Sequence, residues 1–207
     1  AEDTRIETTE MLMPSQLLTV VGNSFSSQVL KWMDIVACMS AEKFSGCTCV
    51  TASVDEMEIL TDLKPGVVHI AAQVTCAFNS SMEVVVKVNN EDLIVGGRTL
   101  VCCAFFTFVI TTKGHRMPHL LLTSLPAMSR AQMARERRAV RLKRRDMIKT
   151  MVSCFVPTTE EGEAKDMVLS RSVMTEMVLP PHANHMGVWH ACVHRELYGC
   201  ASSAHLI

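Results

Sequence analysis

Aromatic residues are scarce in this chain, at 5% of 207 residues with one Tyr and two Trp. Proteins that grip single-stranded nucleic acid stack bases on such rings. A net charge of −1 gives no general hold on a phosphate backbone either. Nucleic acid as the principal partner is therefore excluded. No apolar run approaches the roughly 18 residues of a membrane span. The longest, LVCCAFFTFVI at 100–110, has the length and composition of a strand. The sequence opens at Ala1 with no basic-then-apolar leader, so no secretory signal is expected. The nine cysteines lack the spacing of a disulfide framework, and Cys38, Cys76, Cys102 and Cys103 sit in apolar runs. Reduced thiols in a cytoplasmic setting are the expectation.

What is present is enough apolar material, 48%, for a sizeable core. The stretch VVGNSFSSQVLKWMDIVACMSAEK at 20–43 runs from a Gly/Asn/Ser turn into an apolar helix. Ser24, Ser26 or Ser27 is placed to cap it and Gly46 to close it. Turned at about 100° per residue, Val29, Leu30, Trp32, Met33, Val36, Ala37, Met39 and Ser40 share one arc. Ser27, Gln28, Lys31, Cys38 and Glu42 form the opposite stripe, with Ile35 intruding. Asp34 falls at the edge of that stripe, three residues from Lys31. It is either a boundary ion pair, worth about 0.2–0.5 kcal/mol, or a functional acid. Four β-rich stretches follow, at 47–60, 67–78, 81–95 and 98–112, separated by turn residues such as Lys64-Pro65-Gly66 and Gly96-Gly97. One apolar helix and four long antiparallel strands pack best with the sheet curled round the helix. The outer sheet face, with LVCCAFFTFV in it, then needs cover, and pairing of two such units supplies it.

The character changes after Thr112. A connector with two prolines leads to a long helix at 129–152, with six arginines and two lysines between Arg135 and Lys149. A solvated basic face and a contact with ligand phosphates are both open readings. An acidic linker follows, TTEEGEAKD at 158–166. TEMLMP at 9–14 then recurs as TEMVLP at 175–180, which reads as a second domain begun and not completed. The expected organisation is a first domain at 1–127, the basic helix at 128–152, a linker at 153–172 and a truncated second repeat at 173–207. His182, His185, His190, Cys192 and His194 match no common zinc spacing, so no metal is expected.

GNSFSSQVLKWMD, followed in order by CVTASVD at 49–55, FNSSMEV at 78–84 and MARERRAVRL at 133–142, resembles the cytosolic two-hotdog acyl-coenzyme A thioesterases. VLPPHANHMG at 178–187 is similar to the opening of that family's second hotdog. The resemblance implies an α+β hotdog fold and hydrolysis of acyl-CoA to a free acid and coenzyme A, with no separate cofactor. It implies a homodimer or higher homo-oligomer paired through the sheets. It also implies that Asp34 acts as base and Asn23 orients water or carbonyl across the seam, with Ser53, Asn79, Ser80 and Ser81 touching coenzyme A. That chemistry is sensible in itself, because an activated thioester needs one well-placed base for its water. Backbone N–H groups at the helix start, around Phe25 to Ser27, suit the developing oxyanion. The alternative is a weak or inactive truncated relative that binds acyl-CoA or co-assembles with a full-length thioesterase.

Overall fold

The computed structural model describes residues 4–20, 23–94, 96–112 and 114–154. The linker and second-repeat expectations, and the His/Cys tail, lie outside these residues. Close contacts group the chain up to Arg137 into one unit, while 138–154 is the described part of another.

Strand β1 (Ile6–Leu12) comes first, then a short hairpin of β2 (Leu18–Val20) and β3 (Asn23–Phe25). Helix α1 (Ser27–Ser45) follows, and then β4 (Cys49–Ile59), β5 (Gly66–Ala77), β6 (Ser81–Glu91) and β7 (Arg98–Ile110). The sheet is antiparallel in the order β1-β5-β6-β7-β4, so the strands before and after α1 sit at opposite edges. Alternation sends Val68, Ile70, Ala72 and Val74 of β5, and Val84, Val86 and Val88 of β6, toward α1. They meet Val29, Met33, Val36, Ala37 and Ala41 of the helix, all at most 2% exposed. Each such large side chain contributes about 1.5–3 kcal/mol by leaving water. Two bulges in the β4–β7 pairing, at Thr51/Ser53 and Val54/Glu56, add twist and help the sheet curl over the helix.

Helix α1 ends where the sequence predicts. Gly46 takes the left-handed conformation, φ 71°, and donates its N–H to the Glu42 carbonyl. Ser26 is the N-cap residue, but its hydroxyl turns away and donates to the Gln16 carbonyl at 2.7 Å. The helix wheel needs correction in detail. Asp34 and Cys38, placed at or in the polar stripe, are buried at 3% and 7% exposure, while Met39 is 46% exposed. A curled sheet covers more of the helix than its apolar arc, and from a different direction.

Helix α2 (Leu125–Cys154) starts four residues earlier than predicted, with Pro126 in the first turn, where proline costs nothing. Ala127, Ala131 and Ala134 are buried, the last two against Cys76 with Phe78 and Leu122 alongside. Arg137 then reaches the sheet's outer face. It forks onto Glu83 at 2.8 and 3.0 Å and lies 3.6 Å over the Phe105 ring. Part of the face predicted to need a second subunit is thus covered from within the chain.

Candidate active site

Asp34 sits midway along α1 with its carboxylate against β4. The Thr51 hydroxyl donates to its Oδ1 at 2.6 Å. Thr51 is in register with Phe108 of β7, which in turn faces Met82 of β6, and both of those are fully buried. The carboxylate is therefore held beside the driest part of the core, where a charge persists only with hydrogen-bonded partners. Cys38, one turn further on, offers no rival nucleophile. Burial first, then the charges of Glu42 and Asp34, pushes its thiol up to about 12, so it stays protonated. Burial likewise holds Cys49 up at about 11 and Cys102 at about 12. Cys38, Cys47, Cys49, Cys76, Cys102 and Cys103 are free thiols.

The other predicted residues are dispersed. Ser53 donates to Asp55 at 2.8 Å, and Thr107 donates to the second oxygen of the same carboxylate at 2.8 Å. Thr107 lies between Phe106 and Phe108, both in the helix-side core, so it and its Asp55–Ser53 partners occupy the outer face. Within one protomer, Asp34 and Ser53 are on opposite sides of the sheet. Asn79, Ser80 and Ser81 form the β5–β6 turn, closed by Phe78 N–H to Ser81 O at 2.8 Å and tied to β7 by Ile110 N–H to Ser80 O at 3.1 Å. That turn lies at the Thr51 end of the sheet, since Ser81 pairs with Val109 and Val109 with Val50. Asn79 lines a cavity of about 700 Å³. The Asn23 backbone pairs with Val20 in the β2–β3 hairpin, three residues before the N-cap of α1. Its side chain lies outside the described structure.

Thr51 is the residue that sequence reasoning passed over. It stands inside CVTASVD, one of the stretches that carry the family resemblance, so the signal was present. What singles it out is the contact with Asp34, which only the fold creates. Among the described residues, no group of three His, Cys, Asp or Glu converges as a metal site, and no helix is long and apolar enough to cross a membrane.

A helix cradled by a five-stranded antiparallel sheet, with one carboxylate buried between them, is the architecture of a hotdog protein. Residues 22–96 match the Thioesterase superfamily. The chain is 39% identical over 175 residues to the acetyl-coenzyme A thioesterase of Rattus norvegicus, covering 80% of this chain and 32% of that one. It thus spans about a third of the length of that curated relative. Among solved structures, the acyl-CoA hydrolase of Bacillus cereus is 28% identical at a TM-score of 0.66, covering 75% of this chain and 97% of that one. A hexameric acyl-CoA thioesterase, in its apo form, is 27% identical at a TM-score of 0.62, covering 69% and 94%. The fold of this chain is a hotdog, and residues 22–96 are similar to the thioesterase superfamily.

Proposed function

We propose that this chain hydrolyses acyl-CoA thioesters, with Asp34 as general base. The observation that carries the reading is the buried Asp34 carboxylate, fixed through one oxygen by Thr51. The carboxylate takes a proton from water, and that water attacks the thioester carbonyl. The carbonyl oxygen gains charge and is met by backbone N–H groups at the start of α1, where no side chain caps the helix. The C–S bond then breaks and the departing sulfur takes up the proton held by Asp34, leaving a carboxylic acid, the coenzyme A thiol and a regenerated carboxylate. Asn23 orients water or carbonyl from the hairpin that feeds the helix.

The site is completed by a second protomer through the sheet faces, in a dimer or higher homo-oligomer. The naming of one similar solved thioesterase as hexameric supports this. Asn79, Ser80 and Ser81 contact coenzyme A from the turn. Ser53, facing away from Asp34 in its own protomer, serves a neighbouring protomer's substrate. The free thiols fit a reducing, cytoplasmic compartment. Thiol release by the purified chain from acetyl-, medium- and long-chain acyl-CoA tests the reading. Turnover of any of the three supports it. A second reading draws on the threefold greater length of the curated relative. There the chain binds acyl-CoA, or co-assembles with a longer thioesterase, without turning substrate over. Binding of acyl-CoA with no thiol release at any chain length selects that reading.

A further inference from the structure

The cavity beside the β5–β6 turn is lined by Arg116 and His119 of the connector, Arg135 of α2, Asn79 of the turn, and apolar side chains that include Phe78 and Leu122. No carboxylate is among its lining residues. Arg5, Arg98, Arg137 and Arg145 all find acids in this fold, whereas neither Arg116 nor Arg135 does among the described residues. Two guanidiniums from separate elements therefore face one groove with their charge uncompensated. Arg135 is carried on a rigid support, since its neighbour Ala134 is fully buried against the sheet end and Arg137 is locked to Glu83. Guanidinium forks match phosphate oxygens two at a time, and Phe78 offers a flat apolar wall for a base. About 700 Å³ is ample for a nucleotide.

We infer that this groove holds the phosphorylated nucleotide end of coenzyme A, with Arg116 and Arg135 on its phosphates and Phe78 beside the adenine. The inference rests on the acyl-CoA reading of the same site. It extends that reading by assigning the substrate's recognition to residues that do no chemistry. Both arginines are exposed, so glutamine at each position leaves the core untouched.

The test is titration calorimetry of the full chain with coenzyme A, dephospho-coenzyme A and inorganic phosphate, alongside kinetics on acyl-CoA and on the matching acyl-pantetheine. In the Arg116→Gln/Arg135→Gln double variant, coenzyme A affinity should fall by on the order of tenfold or more. KM for acyl-CoA should rise by a similar factor with kcat held, and acyl-pantetheine turnover should not move. Dephospho-coenzyme A should bind wild type more weakly than coenzyme A and lose less in the variant. Unchanged coenzyme A affinity in the double variant overturns the assignment. So does inorganic phosphate binding as tightly as coenzyme A, which marks a site for phosphate alone. The two readings fail separately. Coenzyme A held through these arginines with no thiol release keeps the groove and sinks the hydrolase. Thiol release with an unchanged KM in the variant sinks the groove alone.

Discussion

On the helix side of the sheet, Asp34 is 3% exposed and receives a threonine hydroxyl; on the far side, Glu83 is 1% exposed and is closed by a guanidinium fork. Both are carboxylates taken out of water, at comparable depth, a few strands apart. Glu83 is also met by the Thr75 hydroxyl at 2.7 Å, so both its oxygens are committed to protein partners. Burial opposes the charge on Arg137, and the bond and charge of Glu83, with Glu56 and Asp55 nearby, more than restore it. That pair fastens α2 to the sheet. Asp34, by contrast, receives a hydrogen bond from the neutral hydroxyl of Thr51. Two carboxylates of similar burial thus differ in what meets them: a guanidinium fork for Glu83, a threonine hydroxyl for Asp34.

The largest effect should come from breaking the structural pair. Arg137→Ala leaves Glu83 buried without its fork, and losing one partner of such a pair costs about 3–5 kcal/mol. Denaturant unfolding should show that loss, together with freed motion of α2. A change under 1 kcal/mol would mean that the fork is incidental and the two carboxylates are not so different.

A smaller, more selective change is expected on the other face. Thr51→Val keeps the shape and removes the hydroxyl, so a buried acceptor loses a donor at a cost of about 1–3 kcal/mol. Turnover should drop by roughly tenfold as the carboxylate loses its orientation. Loss of stability with kcat unaltered would make Thr51 a structural residue only.

The smallest effect is at the β1 edge, far from both acids. Arg5 hydrogen-bonds Glu7, Arg98 bridges Glu7 and Glu91, and the buried His69 ties Glu91 to Thr9. The Arg5 bond chiefly holds Glu7 below the usual carboxylate range, and the His69 bond does the same for Glu91. A depressed folded-state value means stabilisation that is fully present above the ordinary carboxylate value and lost as pH falls through the folded one. Amide exchange in β1 should therefore accelerate below about pH 4, and Glu7→Gln should weaken that response. An exchange rate flat across this range would refute the linkage.

Much of the frame was legible before any coordinates. The helix predicted within 20–43 spans Ser27–Ser45, and the four predicted strands sit within a few residues of β4 to β7. Strong periodicity and glycine punctuation carry such information locally. Strand β1 was missed because IETTEML has four polar residues in a row, Glu7 to Glu10, and belongs to an edge, where burial leaves a weak imprint. The Asp34 side chain was identified, but its burial was not, because an ideal wheel knows nothing of a sheet that curls. The Glu83–Arg137 clamp joins residues 54 positions apart and had no sequence signature.

The most direct test of the contrast sets Asp34→Asn against Glu83→Gln in one thiol-release assay with a parallel unfolding curve. Asp34→Asn should keep the fold and lose on the order of a hundredfold or more in turnover, because shape and polarity survive and basicity does not. Glu83→Gln should lose stability and, in the fraction that remains folded, keep its turnover. Near wild-type turnover in Asp34→Asn would contradict the account and return Asp34 to the standing of a buried, hydrogen-bonded helix residue.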